Sequence, residues 1–113
     1  MKYTHIKKSA QSMVNLGFLQ YAELINTPKT PEISIAYVEV KGKNKTIINN
    51  GSNAAYYILE GSGTFVIDNE TVTVEAGDVV FIPRGTQYQD AGTLAMLAIN
   101  TPRYDQNTVT YID

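Results

Sequence analysis

The side chains that most often carry chemistry in proteins are scarce in this sequence. Its 113 residues include a single histidine, His5, and no cysteine. The missing cysteines exclude a disulfide framework, a zinc ribbon, an iron–sulfur cluster and a cysteine nucleophile. One histidine cannot build a multi-histidine metal site within one chain, and it excludes a Ser–His–Asp triad unless His5 supplies the base. We expect His5 at the surface of an N-terminal arm, unless that arm crosses to cap a partner's pocket.

The charge balance excludes two classes of partner. Nine Lys and Arg residues against eleven Asp and Glu residues give a net charge of -2, so neither a nucleic acid nor a membrane surface is expected to bind. No apolar run approaches the roughly 20 residues of a transmembrane helix. Residues 1–8 lack the apolar centre of a signal peptide, and a cytoplasmic location is therefore predicted. The length predicts one domain over 1–113, able to bury a core without covalent staples.

The elements that must position any site are predicted to be β-strands. Val, Ile and Thr together make up 32 of the residues, and such side chains suit a pleated surface better than a helix. No long stretch shows an apolar period of 3.6 residues. Short strands separated by Gly and Pro predict an antiparallel sandwich or barrel. The predicted strands are 33–40, 46–49, 55–60, 64–68, 71–75, 79–83, 86–90 and 94–100.

The flanking segments receive separate predictions. Residues 9–14 are predicted as one or two helical turns, and 16–24 as an extended arm. The strand at 33–40 is apolar on both faces, so it and the arm 16–24 are predicted to build a homodimer surface. The barrel core is assigned to about 33–102 and the N-terminal arm to about 1–26. The C-terminal extension, 103–113, is predicted to pack on the outside of the barrel.

One stretch carries a signature. Gly77 is predicted to end a strand in a turn, a buried strand follows, and Pro83-Arg84-Gly85 makes a second tight turn. The spacing of Gly77, five residues, Pro-x-Gly, two residues and Tyr88 resembles the second motif of the cupins. Residues 57–63, a strand closing on a Gly-rich turn, resemble the end of the first cupin motif. The resemblance covers roughly 45–102. It implies an all-β fold, a small jelly-roll β-barrel (double-stranded β-helix) with an N-terminal arm, often paired as a homodimer.

The departures from the cupin pattern concern the metal. In metal-binding cupins the first motif supplies His-x-His and then Glu, and the second motif supplies a further His. The resemblance puts those positions at Ile48, Asn50, Ala54 and Tyr88, none of which is a histidine or a glutamate. Amide and phenol oxygens are weak ligands for iron, manganese or zinc. The sequence is therefore predicted to hold no metal and no other cofactor.

The same resemblance proposes a pocket at the barrel's open end. Because residues two apart share a strand face, Tyr56 and Ile58 are predicted to point inward, as are Tyr88 and Asp90, with Asn50 beside them. Asn50, Tyr56, Ile58 and Tyr88 are the predicted ligand-binding residues for a small polar molecule, such as a sugar or a carboxylate. The tyrosines could instead fill the space that a metal site has vacated. Asp90 is either an acid–base group or a solvated residue of a turn at 90–92.

Three functions remain open. The first is a metal-independent binding module for a small polar ligand. The second is a cofactor-free sugar isomerase, epimerase or lyase in which Tyr88 and Asp90 are the catalytic candidates. The third is a non-catalytic dimeric association module with a filled barrel. An open cavity with a buried carboxylate beside Tyr88 would favour the enzyme. Arg84 could clamp an anion over the mouth or be an ordinary exposed turn residue.

Overall fold

A computed structural model describes residues 3–8 and 11–112, and it confirms the predicted all-β architecture of a curled, barrel-like sheet. Nine strands belong to that sheet, and one turn of 3₁₀ helix, Gln106–Thr108, precedes the last of them. The strands are β1 (Val14–Asn15), β2 (Leu19–Ile25), β3 (Ser34–Lys43), β4 (Ile47–Asn49), β5 (Asn53–Ile67), β6 (Glu70–Glu75), β7 (Val79–Ile82), β8 (Gln87–Thr101) and β9 (Val109–Tyr111).

Two strands of 15 residues, β5 and β8, form the spine of the sheet. They are antiparallel, from the pair Asn53↔Thr101 to the pair Ile67↔Tyr88. β8 also pairs with β3 and β4, while β5 pairs with β6 and β7 on its other edge. Strand twist curls this long sheet, and its concave side encloses the core. Phe65, Ile58, Ile82, Met96 and Val40 are the largest fully buried apolar side chains.

The glycines at 61, 63 and 92 lie inside strands, which corrects the sequence prediction of breaks there. Gly63 is the register partner of Gly92, where the two long strands pass each other. A Cβ added at Gly92 would lie 2.6 Å from the Gly63 Cα. Glycine is required for this close approach, and the same glycines look like turn residues in the sequence. Asp90 therefore lies within a continuous strand, and the prediction of a turn at 90–92 is wrong.

A β-bulge changes which residues of β5 point inward. The register with β8 shifts between Ile58 and Glu60, so one extra residue is accommodated in β5. Before the shift the inward positions are even-numbered and include the fully buried Ile58; after it they are odd-numbered and include the fully buried Phe65. In β8 the inward positions stay even-numbered from Tyr88 to Asn100. Because of the bulge, β5 contributes side chains both to the candidate site and to the buried core.

Substituting alanine at Gly92 is expected to destabilise the fold strongly. Its φ of +125° disfavours any side chain, and the new Cβ would collide with the backbone of β5. We expect Gly92→Ala to lower the free energy of unfolding by about 4 kcal/mol, from backbone strain and overpacking together. Gly77→Ala is the matched control, because Gly77 has a φ of +95° but no atom within 4 Å of the added Cβ. Its expected loss is about 1 kcal/mol, measured for both variants by urea unfolding.

The predicted N-terminal arm is largely part of the sheet. β2 pairs with β3 in the register Leu19↔Val40, so the two segments assigned to a homodimer contact pair with each other inside the chain. The homodimer itself stays a prediction. Of the predicted helix at 9–14, Ser9 and Ala10 lie outside the described residues, 11–13 are not helical, and Val14 begins β1. Among residues 3–8 and 11–112, no helix has the length and apolar character needed to cross a membrane.

Candidate active site

A cavity of about 740 Å³ opens on the concave side of the sheet. Its walls are inward side chains of β2, β3, β5 and β8 together with the C-terminal segment, residues 103–111. Space for a ligand therefore remains in the barrel, while Tyr88 belongs to the buried core and Tyr56 packs against it. Five of the chain's eight tyrosines line it. They are Tyr21, Tyr56, Tyr88, Tyr104 and Tyr111.

Two of these tyrosines form a hydroxyl pair. Tyr56 on β5 and Tyr88 on β8 point inward, and their Oη atoms lie 2.6 Å apart. Their rings meet edge to face at 5.8 Å, and the Tyr56 ring also packs on Phe65 at 5.2 Å. Burial raises the pKa of the Tyr56 hydroxyl well above its usual value and raises the pKa of Tyr88 to about 12. Both phenols are therefore protonated near neutral pH, and the pair is a source of a proton.

Asp90 is the buried carboxylate of the cavity. It lies two residues after Tyr88 on the same inward face, and only 3% of it is exposed. Its Oδ1 accepts a hydrogen bond of 3.2 Å from Asn44 Nδ2, whereas its Oδ2 is buried and has no partner in the described chain. Burial raises the pKa of Asp90 to about 6, and the bond from Asn44 opposes that shift. A carboxylate with an unused oxygen and a raised pKa is suited to accept a proton near neutrality.

Asn44 positions this carboxylate. Its backbone N–H donates to the Asp90 carbonyl oxygen at 2.9 Å, and its own carbonyl accepts from Gln89 Nε2 at 2.7 Å. Asn44 follows β3 directly, and its side chain is hydrogen-bonded to Asp90 on β8 and to the Lys45 N–H. The sequence analysis left 41–45 between two predicted strands and gave Asn44 no role. Nothing local in Lys-Gly-Lys-Asn-Lys indicates its partner 46 residues away.

The structure brings together three of the residues singled out from the sequence: Tyr56, Tyr88 and Asp90 line one cavity. Ile58 is fully buried in the core and does not line the cavity, so its predicted ligand contact is wrong. Asn50 is exposed and also outside the cavity lining. The inward residue at that place is Asn49, whose Nδ2 donates to Ser52 Oγ at 2.9 Å. The uncertain register of the 49–52 loop caused that error.

Two other sequence candidates lie away from the site. Arg84 is exposed in the turn after β7 and does not line the cavity. His5 is exposed in the N-terminal segment and does not line it either. Neither residue supplies a charge or a base to the cavity.

The cavity walls that sequence analysis missed come from both ends of the chain. Residues 103–107 and Tyr111 line the cavity, so for the described part of 103–113 the prediction of packing on the outside of the barrel is wrong. Tyr21 and Glu23 reach the cavity from β2. Their spacing of two residues, continuing from Leu19, is a strand-face signal that was present in the sequence. Of the described residues, the carboxylates that line the cavity are Glu23, Asp90 and Asp105, and the lining cation is Arg103.

The donor atoms of the cavity do not fit the metal of a metal-binding cupin. At its inner end they are the two protonated phenols of Tyr56 and Tyr88 and the single carboxylate of Asp90. Across residues 3–8 and 11–112 no three His, Cys, Asp or Glu side chains are grouped. Iron, manganese and zinc prefer imidazole, thiolate or several carboxylates, and this set offers none of those combinations.

Sequence comparison relates the chain to one family. A family model described as "Cupin domain" matches residues 35–89. An uncharacterised protein of Aquifex aeolicus is 29% identical over 92 residues, which cover 79% of this chain and 76% of that protein.

Structural comparison gives the same fold. Pac13 of Streptomyces, a nucleoside dehydratase, superposes with a TM-score of 0.87 at 19% identity, covering 99% of this chain and 92% of that one. RemF, a polyketide cyclase of Streptomyces resistomycificus, superposes with a TM-score of 0.79 at 20% identity, covering 98% and 86%. Identities this low show a shared fold alone. The matched domain over residues 35–89, the motif around Gly77 and Gly85 and the curled sheet together support membership of the cupin superfamily.

Proposed function

We propose that this chain binds a small polar molecule in its cavity and transfers protons on it without a metal, as an isomerase, epimerase or lyase does. The observation that carries the proposal is the buried Asp90, whose Oδ2 has no partner, in the same open cavity as the Tyr56–Tyr88 hydroxyl pair. An unpaired buried carboxylate is costly to the fold, which favours a role in chemistry over one in packing.

The side chains of Asp90 and Tyr88 can carry out every proton transfer of such a reaction without a further reactant. The Asp90 carboxylate takes a proton from a carbon next to a carbonyl group, and the C–H electron pair becomes the double bond of an enolate. Tyr88 then gives its proton to a departing hydroxyl, which leaves as water, or to the enolate carbon, which completes an isomerisation. The proton held by Asp90 returns to the tyrosinate, so the site is restored and no electrons are exchanged. The charge of Asp90 acts on the pKa of both tyrosines, which supports their cooperation.

The structures of similar fold support the proposed class of reaction, but they do not identify the substrate. Pac13 is a dehydratase, and forms of it solved with uridine include tyrosine-to-phenylalanine and histidine-to-glutamine variants. This chain also has cavity tyrosines, but its one histidine, His5, does not line the cavity. The base proposed here is therefore Asp90 and not a histidine.

A panel of neutral and anionic small molecules tests the proposal. Uridine, D-fructose, D-glyceraldehyde, D-glucuronate and pyruvate are titrated into the protein, with tyrosine fluorescence as one readout, because the chain has no tryptophan and five of its tyrosines line the cavity. We expect at least one compound to bind with a dissociation constant of about 1 mM or lower, as a cavity of this size permits.

The same panel separates catalysis from binding. Each carbonyl compound is incubated with the protein in D₂O, and NMR follows deuterium at the carbon beside the carbonyl. Proton abstraction by Asp90 predicts deuterium incorporation above the buffer rate. Binding without incorporation would support the binding module instead, and no binding by any compound would contradict both functions.

A further inference from the structure

The mouth of the cavity is lined by polar side chains that have no part in the proposed proton transfers. It is the C-terminal segment, 103–111, whose lining side chains are Arg103, Tyr104, Asp105, Gln106, Asn107 and Tyr111. The Asp90 end of the cavity is the proposed reacting end. A substrate that reaches Asp90 from the mouth must therefore also contact this segment.

The C-terminal segment is held firmly in place. Its last part is a strand, β9, paired with β4 in the register Asn49↔Val109. The Asp105 carboxylate accepts from the Asn107 N–H at 3.0 Å and caps the 3₁₀ turn. At its start, the Tyr104 N–H donates to Ser34 Oγ at 2.8 Å. A wall fixed at both ends offers its polar groups to a ligand in one geometry, which is what selective binding needs.

Three side chains of this segment form a hydrogen-bonded row. The Tyr104 hydroxyl donates to Gln106 Oε1 at 2.9 Å, and Gln106 Nε2 donates to the Tyr111 hydroxyl oxygen at 2.8 Å. The row has a direction, because each hydroxyl or amide hydrogen points to the next residue. It ends at the exposed Tyr111 hydroxyl, whose oxygen accepts from Gln106 and whose own O–H is a donor. The Tyr111 hydroxyl can therefore donate a hydrogen bond to a ligand in the mouth of the cavity.

The charge of the cavity disfavours an anionic ligand. Glu23 and Asp105 line it as exposed side chains and are offset by Arg103 and by Lys45, whose Nζ lies 5.4 Å from the Tyr111 ring centre, so the uncompensated formal charge is that of ionised Asp90 inside. Arg103 already donates from Nη1 to Asn26 Oδ1 at 2.8 Å. Charges within a partly buried cavity act on one another more strongly than in water.

We infer that the Tyr104–Gln106–Tyr111 row determines substrate specificity: it holds the non-reacting part of an uncharged substrate through a hydrogen bond from the Tyr111 hydroxyl to a carbonyl oxygen. The Tyr104 and Tyr111 rings favour a planar group at that position. This inference rests on the proposed function, because it takes the Asp90 end as the reacting end.

The test uses uridine, which is neutral and carries ring carbonyls, and uridine 5′-monophosphate, which adds only negative charge. Tyr111→Phe removes the terminal donor and is expected to weaken uridine binding by about three- to tenfold. Gln106→Glu turns the Tyr111 hydrogen toward a carboxylate and is expected to weaken it by about tenfold or more. Thr110→Val, an exposed neighbour outside the cavity lining, is the control and should bind as the wild type does. The monophosphate is expected to bind about tenfold more weakly than uridine at pH 8, where its phosphate and Asp90 are both ionised.

Three results would overturn the inference. The first is unchanged uridine affinity in both Tyr111→Phe and Gln106→Glu, and the second is a monophosphate that binds as tightly as uridine. Absence of uridine binding to the wild type at millimolar concentration would overturn it as well. The proposed function is judged separately, on deuterium incorporation with the other carbonyl compounds and its loss in Asp90→Asn.

Discussion

Asp90→Asn is expected to lower the rate of proton exchange or turnover by a factor of about 10² to 10⁴, the contribution usual for a positioned general base. An amide cannot accept the substrate proton, yet it has nearly the shape of the carboxylate and can still accept the bond from Asn44 Nδ2. The affinity for a neutral ligand should therefore change by less than about threefold, because uniform binding is retained. In the wild type the rate should rise with pH through about 6, as Asp90 ionises, and then stay level.

The same substitution is expected to stabilise the protein at high pH. The pKa of Asp90 is about 6 in the folded chain, above the value of 3.8 for a free side chain, so folding favours its protonated form. Its contribution to stability is fully present below pH 3.8 and is lost as the pH rises through about 6. Above pH 7 the ionised carboxylate costs the wild type about 3 kcal/mol, as an order of magnitude. Asp90→Asn lacks this cost and should gain stability over the wild type between pH 4 and pH 8.

Urea unfolding at pH 4 and pH 8, together with the exchange rate, measures both effects. Asp68→Asn is the control, because Asp68 is an exposed residue in the hairpin turn between β5 and β6 and does not line the cavity. A variant that is more stable at pH 8 but inactive would indicate that Asp90 serves as the base although its charge destabilises the fold. Full activity in Asp90→Asn would remove Asp90 from the proposed mechanism.

The fold and half of the site followed from local patterns in the sequence. The spacing from Gly77 to Tyr88, across β7 and the turn after it, carries the resemblance to the cupins. The period-2 alternation within single strands predicts the inward Tyr56 and Tyr88. The same alternation linked Asp90 to Tyr88. A strand face needs only its own residues to be recognised.

The rest depended on long-range pairing that no local pattern encodes. Gly92 resembles a turn residue when only its neighbours in the sequence are considered. Its pairing with Gly63 of β5 keeps β8 continuous at this point, and Asp90 lies buried within that strand. Asn44 gains its role from a residue 46 positions away. The C-terminal segment lines the mouth because β9 pairs with β4, which local sequence does not indicate.

Tyr88→Phe is the second change with a large expected effect. It removes the proposed proton donor, and we expect the rate to fall by about 10²- to 10³-fold with little change in ligand affinity. The stability should change by less than about 1 kcal/mol, because the ring still packs and only one hydroxyl bond is lost. Tyr57→Phe is the matched control: Tyr57 adjoins Tyr56 on β5 but points outward and is 40% exposed. A rate equal to that of Tyr57→Phe would exclude Tyr88 as the donor.

A double substitution then separates the roles within the hydroxyl pair. The Tyr56 and Tyr88 hydroxyls are hydrogen-bonded to each other at 2.6 Å, so they should act as a unit and not as two independent donors. If Tyr56 works by orienting the Tyr88 hydroxyl, Tyr56→Phe lowers the rate less than Tyr88→Phe does. The double variant should then be no slower than Tyr88→Phe alone, because an orienting group has no effect once the donor is gone. Independent effects that multiply would mean that each phenol contacts the substrate separately, and the proton would then have two possible sources.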